Sequence, residues 1–394
     1  MNMRSIELFS GAGGLALGLE RAGFETVALF ERDANACAAL RHNRPDWNIF
    51  ECDVREVDYQ QFRPIDLVAG GPPCQPFSMG GKAKGFDDAR DMFPEAVRAV
   101  QELQPNAFVF ENVRGLLRPA FANYVEFIRL QLTYPCFPVS GNVDWETNLR
   151  RLQRHHNSEG GNGRDLNYKV SLHLADAADF GVPQRRHRVF FVGFRADLDI
   201  GWSFPPVTHT QDDLIRAKYV TGAYGAEFGL KPLVPDAKLL KKIDKLRSGE
   251  LIATTQRWQT VRDAFVGLPN PCEKPLVGNH RYQAGAKSYP GHTGSPLDEP
   301  SKALKAGDHG VPGGENMLRY PNGRVRYFTV RESARIQTFP DGYAFPGSWT
   351  ESMRQLGNAV PVKLAEAVAS SIATKIRPYA NSQTCPAAQG VVQA

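Results

Sequence analysis

The stretch Arg4-Ser5-Ile6-Glu7-Leu8-Phe9-Ser10-Gly11-Ala12-Gly13-Gly14-Leu15-Ala16 decides the fold. A short apolar run, Arg4 to Phe9, ends at a glycine turn, and Leu15 to Ala22 continues with helical character. The glycines fit G-x-G-x-x-G/A, in which a strand turns tightly into a helix and a cofactor can approach the helix N-terminus. Outward from there, Glu25 to Phe30 reads as a second strand and Ala34 to Asn43 as a helix. Glu31 ends the second strand, 20 residues after Gly11. That is the place for a carboxylate that accepts hydrogen bonds from ribose hydroxyls. Asp53 follows a candidate third strand, in ECDVRE, so a nucleoside-bearing cofactor is the favoured reading over a plain strand-to-helix turn. Ile65 to Ala69, Ala107 to Phe110 and Val189 to Gly193 are further buried-strand candidates, and Met92 to Leu103 has apolar spacing at helical period. Strands alternating with helices predict a parallel sheet covered on both faces.

Composition narrows the class. The 394 residues are 42% hydrophobic and 23% charged, which excludes a disordered or collagen-like chain. The chain lacks a run of about 18 apolar residues, so no membrane span is expected. Nor does the N-terminus read as a signal peptide. Six cysteines are scattered without a C-x-x-C pair. A metal cluster or disulfide framework is therefore not expected, and the chain reads as reduced and cytoplasmic. The net charge is +5. Residues 201 to 325 hold 17 Lys/Arg against 12 Asp/Glu, whereas the remainder holds 30 of each. That excess reads either as a solvated helix around Lys238 to Arg247 or as a surface facing a polyanion. The same segment is rich in Pro, Gly and Lys, and only Ala237 to Leu246 in it reads as a helix. Residues 141 to 167 form a second irregular stretch, 363 to 376 return to an amphipathic helix, and the tail from Pro378 is small and polar.

Three motifs carry the chemistry. Gly70-Gly71-Pro72-Pro73-Cys74-Gln75-Pro76-Phe77-Ser78 follows the strand IDLVA directly. A cysteine on a rigid turn at a strand's C-terminal end is a candidate nucleophile. The basic, glycine-rich run Met79 to Gly85, with Lys82 and Lys84, suits a lid closing over a polyanion. Phe110-Glu111-Asn112-Val113 ends another strand, so Glu111 is expected on the same sheet edge, where half-burial would raise its pKa and make it a proton donor. Gln184-Arg185-Arg186-His187-Arg188 precedes VFFVG, and strand alternation puts Arg186 and Arg188 on one face with His187 on the other.

Together these motifs resemble the DNA cytosine-5 methyltransferase family, of bacterial modification-enzyme type. LFSGAGGL (8 to 15), GGPPCQPFS (70 to 78), ENV (111 to 113), QRRHR (184 to 188), TVRESARIQTFPDGY (329 to 343) and QLGNAVP (355 to 361) resemble six family motifs in order. The resemblance implies an α/β fold: a Rossmann-like, mixed methyltransferase sheet with helices on both faces, plus a smaller irregular target recognition domain. It implies a SAM-binding catalytic domain over 1–200, the recognition domain over 201–325, a return segment over 326–377 and a disordered tail over 378–394. The implied cofactor is S-adenosylmethionine, leaving as S-adenosylhomocysteine, without a metal. Phe9, Gly11, Ala12 and Gly13 would line it, Glu31 would hold the ribose, and Asp53 beside Val54 the adenine amine. Pro73 and the Asn358-Ala359 turn would complete that pocket. The run Asp88 to Phe93 is one residue shorter than the family's usual spacing, which leaves the part played by Met92 open.

By the same resemblance, Cys74 would attack cytosine C6, Glu111 would hold N3 and the exocyclic amine, and Arg186 and Arg188 would hold O2. Ser78, Lys82, Lys84 and Arg90 are the expected DNA contacts of the catalytic part. The implied partner is double-stranded DNA, met by a monomer in the bacterial cytoplasm; whether a restriction endonuclease accompanies it is left open. A tRNA cytosine-5 methyltransferase of similar fold is the nearest alternative, but the 201–325 segment and Ser78 favour DNA. An NAD-dependent dehydrogenase would account for GAGGLA and leave GPPCQPFS, ENV and QRRHR without a purpose. A DNA-binding protein with a dead site is disfavoured by the intact Cys74, Glu111, Arg186 and Arg188.

Overall fold

The computed structural model describes residues 2–73, 91–159, 166–250, 255–273, 276–306 and 316–380. Seven strands form one sheet: β1 (Met3–Leu8), β2 (Phe24–Glu31), β3 (Ile49–Glu51), β4 (Leu67–Gly70), β5 (Ala107–Val113), β6 (Tyr168–Asp176) and β7 (His187–Arg195). Their order is β3-β2-β1-β4-β5-β7-β6. The first five run parallel, and β7 is antiparallel to both β5 and β6. The sheet is thus mixed rather than all-parallel as strand–helix alternation alone predicts. β6 had no clear signature because it is an edge strand whose pattern is blurred, with Leu174 half-exposed.

The strand order reverses between β1 and β4, where Leu8 pairs with Gly70. Open α/β sheets bind ligands at such a switch point, beyond the carboxyl ends of the strands. Here it sets the glycine turn after β1 beside the Gly71–Pro73 turn after β4. Only glycine allows this approach, because a Cβ on Gly70 would come 2.6 Å from the Leu8 carbonyl oxygen.

Helices cover both faces. On the first, α3 (Phe93–Leu103) and α4 (Ala122–Thr133) pack Val100, Phe127 and Ile128 onto Ile6, Val68, Phe108 and Phe110. On the second, α1 (Gly14–Arg21) and the helix Val362–Ile376 pack Leu19, Leu364 and Ile372 with Leu67, Val109 and Val192. α2 (Ala34–Asn43) is capped by Asp33, whose side chain accepts from the Ala36 amide. The stretch read as irregular, 141–167, instead contains the 15-residue helix α5 (Trp145–Glu159). It lies along α4: Trp145 meets Tyr124 and Phe127, and His156 Nδ1 is 2.7 Å from the Tyr134 hydroxyl. Its abundant Arg, His and Asn conceal a narrow apolar stripe, Trp145, Leu149 and Leu152.

Beyond Trp202 and Phe204, which still pack on the second face, the chain forms a smaller assembly. Short strands Ser295–Pro296, Met317–Arg319 and Val325–Tyr327 make one sheet, and His209–Thr210 pairs with Gln256–Arg257. The expected helix runs Leu240–Ser248, entered by a turn of 3-10 helix from Ala237, and a further helix, Gln211–Tyr219, starts at the Thr210 cap. The chain then returns through helices Val330–Ile336 and Trp349–Asn358.

Candidate active site

Gly11 takes φ +52° and a Cβ there would meet nothing within 4 Å, so the first turn residue faces open space. Its amide donates to Glu31 Oε2 at 2.8 Å, while Glu31 Oε1 accepts from the Arg32 and Asp33 amides, each at 2.8 Å. Three backbone donors therefore fix this carboxylate at the mouth of a cavity of about 240 Å³. Phe9, Glu31, Asp53, Val54 and Pro73, five of the residues expected at the cofactor, line it together, and Met92, whose part was open, lines it too. Asp53 is gripped by Arg55 at 2.6 Å, which holds its carboxyl down at about 2. Phe30, Arg32, Cys52 and Arg55 also line the cavity and were not foreseen.

Ala12 and Gly13 instead turn against protein. The Ala12 carbonyl accepts from the Tyr343 hydroxyl at 2.7 Å, and a Cβ on Gly13 would lie 2.7 Å from Leu40 Cδ2. Asn358 ends its helix exposed, while Ala359 is buried beside Gly14. Neither lines that cavity, but Ala359 and Val360 back the glycine turn, where a Cβ on Gly14 would come 2.2 Å from the Val360 oxygen. An apolar lining that also carries two carboxylates, Glu31 and Asp53, suits an adenosine moiety, so the residues present fit a nucleoside cofactor.

The second half of the site stands at the ends of β4, β5 and β7. Glu111 is buried and ion-paired to Arg188 through Oε1 and Nε, because Val113 of β5 pairs with Arg188 of β7. Burial raises the Glu111 carboxyl above its usual range, and Arg188 and then Arg186 oppose the rise. Asn112 donates to the Pro72 carbonyl at 3.1 Å, a brace not foreseen from sequence. A Cβ on Gly71 would lie 3.5 Å from Glu111 Oε2, so the Gly71–Pro73 turn passes directly over Glu111. Cys74, the next residue, lies outside the described residues, as do Ser78, Lys82, Lys84 and Arg90.

Arg186 has other partners than those expected. Its Nη1 donates to the Leu304 carbonyl at 2.9 Å and its Nη2 to the Gly357 carbonyl at 2.5 Å. Of the two arginines, Arg188 alone is ion-paired to Glu111. His187 lies 3.6 Å from Asp176, on the other side as alternation requires. Among the described residues, no group of three His, Cys, Asp or Glu could hold a metal ion, and no helix is long and apolar enough to cross a membrane.

A cavity whose lining fits a nucleoside and a buried acid–arginine pair, meeting at the switch point of a mixed seven-stranded sheet, are the arrangement a nucleoside-cofactor enzyme needs, and similarity to known proteins makes that class the methyltransferases. The model of the C-5 cytosine-specific DNA methylase family matches residues 3–134 and 161–374. The chain belongs to that family and is a DNA cytosine-5 methyltransferase, with S-adenosylmethionine as methyl donor. It is 35% identical over 376 residues to the Type II methyltransferase M.Eco47II of Escherichia coli, covering 93% of this chain and 78% of that one. It is 34% identical to the Type II methyltransferase M.NgoMIV of Neisseria gonorrhoeae, over 94% of this chain and 97% of that one. In fold it is similar to the Dnmt2 methyltransferase of S. pombe, with a TM-score of 0.56 at 17% identity, covering 96% of this chain and 99% of that one.

Proposed function

We propose that this enzyme methylates C5 of a flipped cytosine within a specific duplex sequence, through a covalent bond between Cys74 and C6. The observation that carries the reading is the Glu111–Arg188 pair, buried beneath the turn that leads into Cys74.

Cytosine C5 is a poor nucleophile in the aromatic ring. Attack of the Cys74 thiolate on C6 forms the S–C6 bond and pushes an electron pair toward N3. The protonated Glu111 carboxyl donates to N3 and stabilises that charge. Arg188 faces O2 and returns Glu111 to position. C5, now part of an enamine, takes the methyl group that S-adenosylmethionine supplies. A base then removes the C5 proton, the C5–C6 double bond re-forms and Cys74 leaves with the S–C6 pair. Stacked in a duplex the ring offers no face to Cys74, so the base must leave the helix, at about a few kcal/mol. The 201–325 segment reads the target, and the Type II name of the relatives supports a separately acting restriction endonuclease as companion.

A duplex with 5-fluorocytosine at the target tests this, because fluorine cannot leave C5 as a proton would. Wild-type enzyme should be trapped as a covalent adduct. Cys74→Ser should bind S-adenosylhomocysteine normally, methylate nothing and give no adduct. Trapping of Cys74→Ser at the wild-type yield would remove the cysteine from its assigned place.

A further inference from the structure

Arg186 is fully buried, with 1% of its surface exposed, yet it sits beside a second arginine. Its two terminal nitrogens are committed to carbonyls from chain segments far apart in sequence. Nη1 donates to Leu304, at the exit of the 201–325 segment, and Nη2 to Gly357, in the last turn before Asn358 and Ala359. For Arg186 to swing onto a base, two buried carbonyls would lose their donors.

Its neighbours hold the same two segments. Gln184, with no exposed surface, accepts from the Leu304 amide at 2.9 Å and donates to Gln337 Oε1 at 3.1 Å. Gln337 in turn donates to the Leu356 carbonyl at 2.5 Å. The Arg185 amide donates to Ser301, and the Ser301 amide to Pro183, both at 2.8 Å. Residues 301–304 are thereby stitched to the residues that enter β7. The next two residues lie against Gly357, where a Cβ would come 2.3 Å from the Ala306 amide nitrogen and 2.4 Å from the Lys305 carbonyl carbon. Glycine is needed there because backbone meets backbone.

We infer that Arg186 and Gln184 are positioning residues, which clamp residues 301–304 of the 201–325 segment to the turn that backs the glycine turn of the cofactor site and so couple target discrimination to cofactor binding. Arg188 alone serves the base and Glu111. This rests on the reading of the protein as a sequence-specific DNA methyltransferase. The segment that reads the target and the Gly357–Ala359 turn share one buried guanidinium, so neither shifts without the other.

The test needs the target duplex, found by bisulfite sequencing of plasmid DNA from cells that express the wild-type enzyme. If that DNA carries no methylcytosine, the reading of function fails first, and the binding of S-adenosylhomocysteine still reports on the clamp. Arg186→Lys keeps a charge but reaches only one carbonyl. It should weaken S-adenosylhomocysteine binding and lower the discrimination between the target and a one-base variant, each by about tenfold, within the usual range of site-to-site coupling. Its single-turnover rate at saturation should fall by less than either. Gly357→Ala, which alters no charge and no base contact, should reproduce both losses.

A loss of a hundredfold or more in single-turnover rate for Arg186→Lys, with binding and discrimination at wild-type values, would return Arg186 to the base. Wild-type values in Gly357→Ala would overturn the coupling. Should either variant fail to fold, as judged by thermal unfolding, Gln337→Met decides. Removing the Gln184–Leu356 link should weaken cofactor binding and discrimination together, and unchanged values for both would refute the clamp.

Discussion

Burial and two arginines pull the Glu111 carboxyl in opposite directions, and burial is the stronger. The acid form is therefore held to a higher pH than in water, and it is this form that can donate to N3. As pH rises through the raised pKa, the proton is lost and the rate should fall, so Glu111 sets an alkaline limb on single-turnover methylation. Glu111→Gln keeps an N–H donor of similar shape but cannot pass a proton. It should cost about 10²–10⁴ in the chemical step and flatten that limb, with little change in S-adenosylhomocysteine affinity, because the side chain pairs with Arg188 and lies outside the cofactor cavity. A matching loss of cofactor affinity would mean the two halves of the site are misdivided. Glu111 and Arg188 were each legible as candidates because strand ends and alternation are local properties of sequence, but the ion pair between them was not foreseen. The fate of Arg186 was not, since its partners lie 118 and 171 residues away and are backbone carbonyls, which no side-chain pattern announces.

At the scale of elements, close packing of α1 on the helix Val362–Ile376 holds the glycine turn. A Cβ on Gly18 would sit 2.4 Å from Ala365 Cβ and 2.7 Å from the Glu366 amide nitrogen. Gly18→Ala gains up to about 1 kcal/mol of helix propensity but must force two backbones apart, at about 1–3 kcal/mol. The net is a loss, seen as a lower denaturant midpoint and weaker cofactor binding. Both helices were readable from their apolar period, as were β1, β2, β4, β5 and β7 from their buried runs. β6 and α5 were not. An edge strand half-covered by Trp202 and Phe204 loses its alternation, and a helix backed by α4 needs only a narrow stripe, drowned here in Arg and His. The helix Gln211–Tyr219 had a usable start signal, Thr210 with Asp213 three residues on, in a segment read mainly through its prolines and glycines.

Across the whole molecule, the 201–325 segment is tied at two points to the turn between β6 and β7: the Thr208 amide donates to the Asp179 carbonyl, and Ser301–Leu304 are stitched to Pro183–Arg186. A segment hung from neighbouring points is exchangeable. Replacing 201–325 with the matching part of the 35%-identical Escherichia coli relative should transfer that enzyme's target, with some loss of rate from imperfect docking, and bisulfite sequencing reads the outcome. A chimera that keeps the original target would place the readout elsewhere, with α5 the next candidate.

The Tyr343 hydroxyl that braces the Ala12 carbonyl comes from a residue 331 positions later in the chain. The turn at Ala12 thus leaves the ribosome well before the residue that braces it. Contacts of such separation form late and slowly. A nascent chain carries the target-reading segment before its cofactor turn is braced, and the helix that backs α1 emerges later still. A product that stops short of Tyr343 therefore lacks both the brace and the backing helix of its glycine turn.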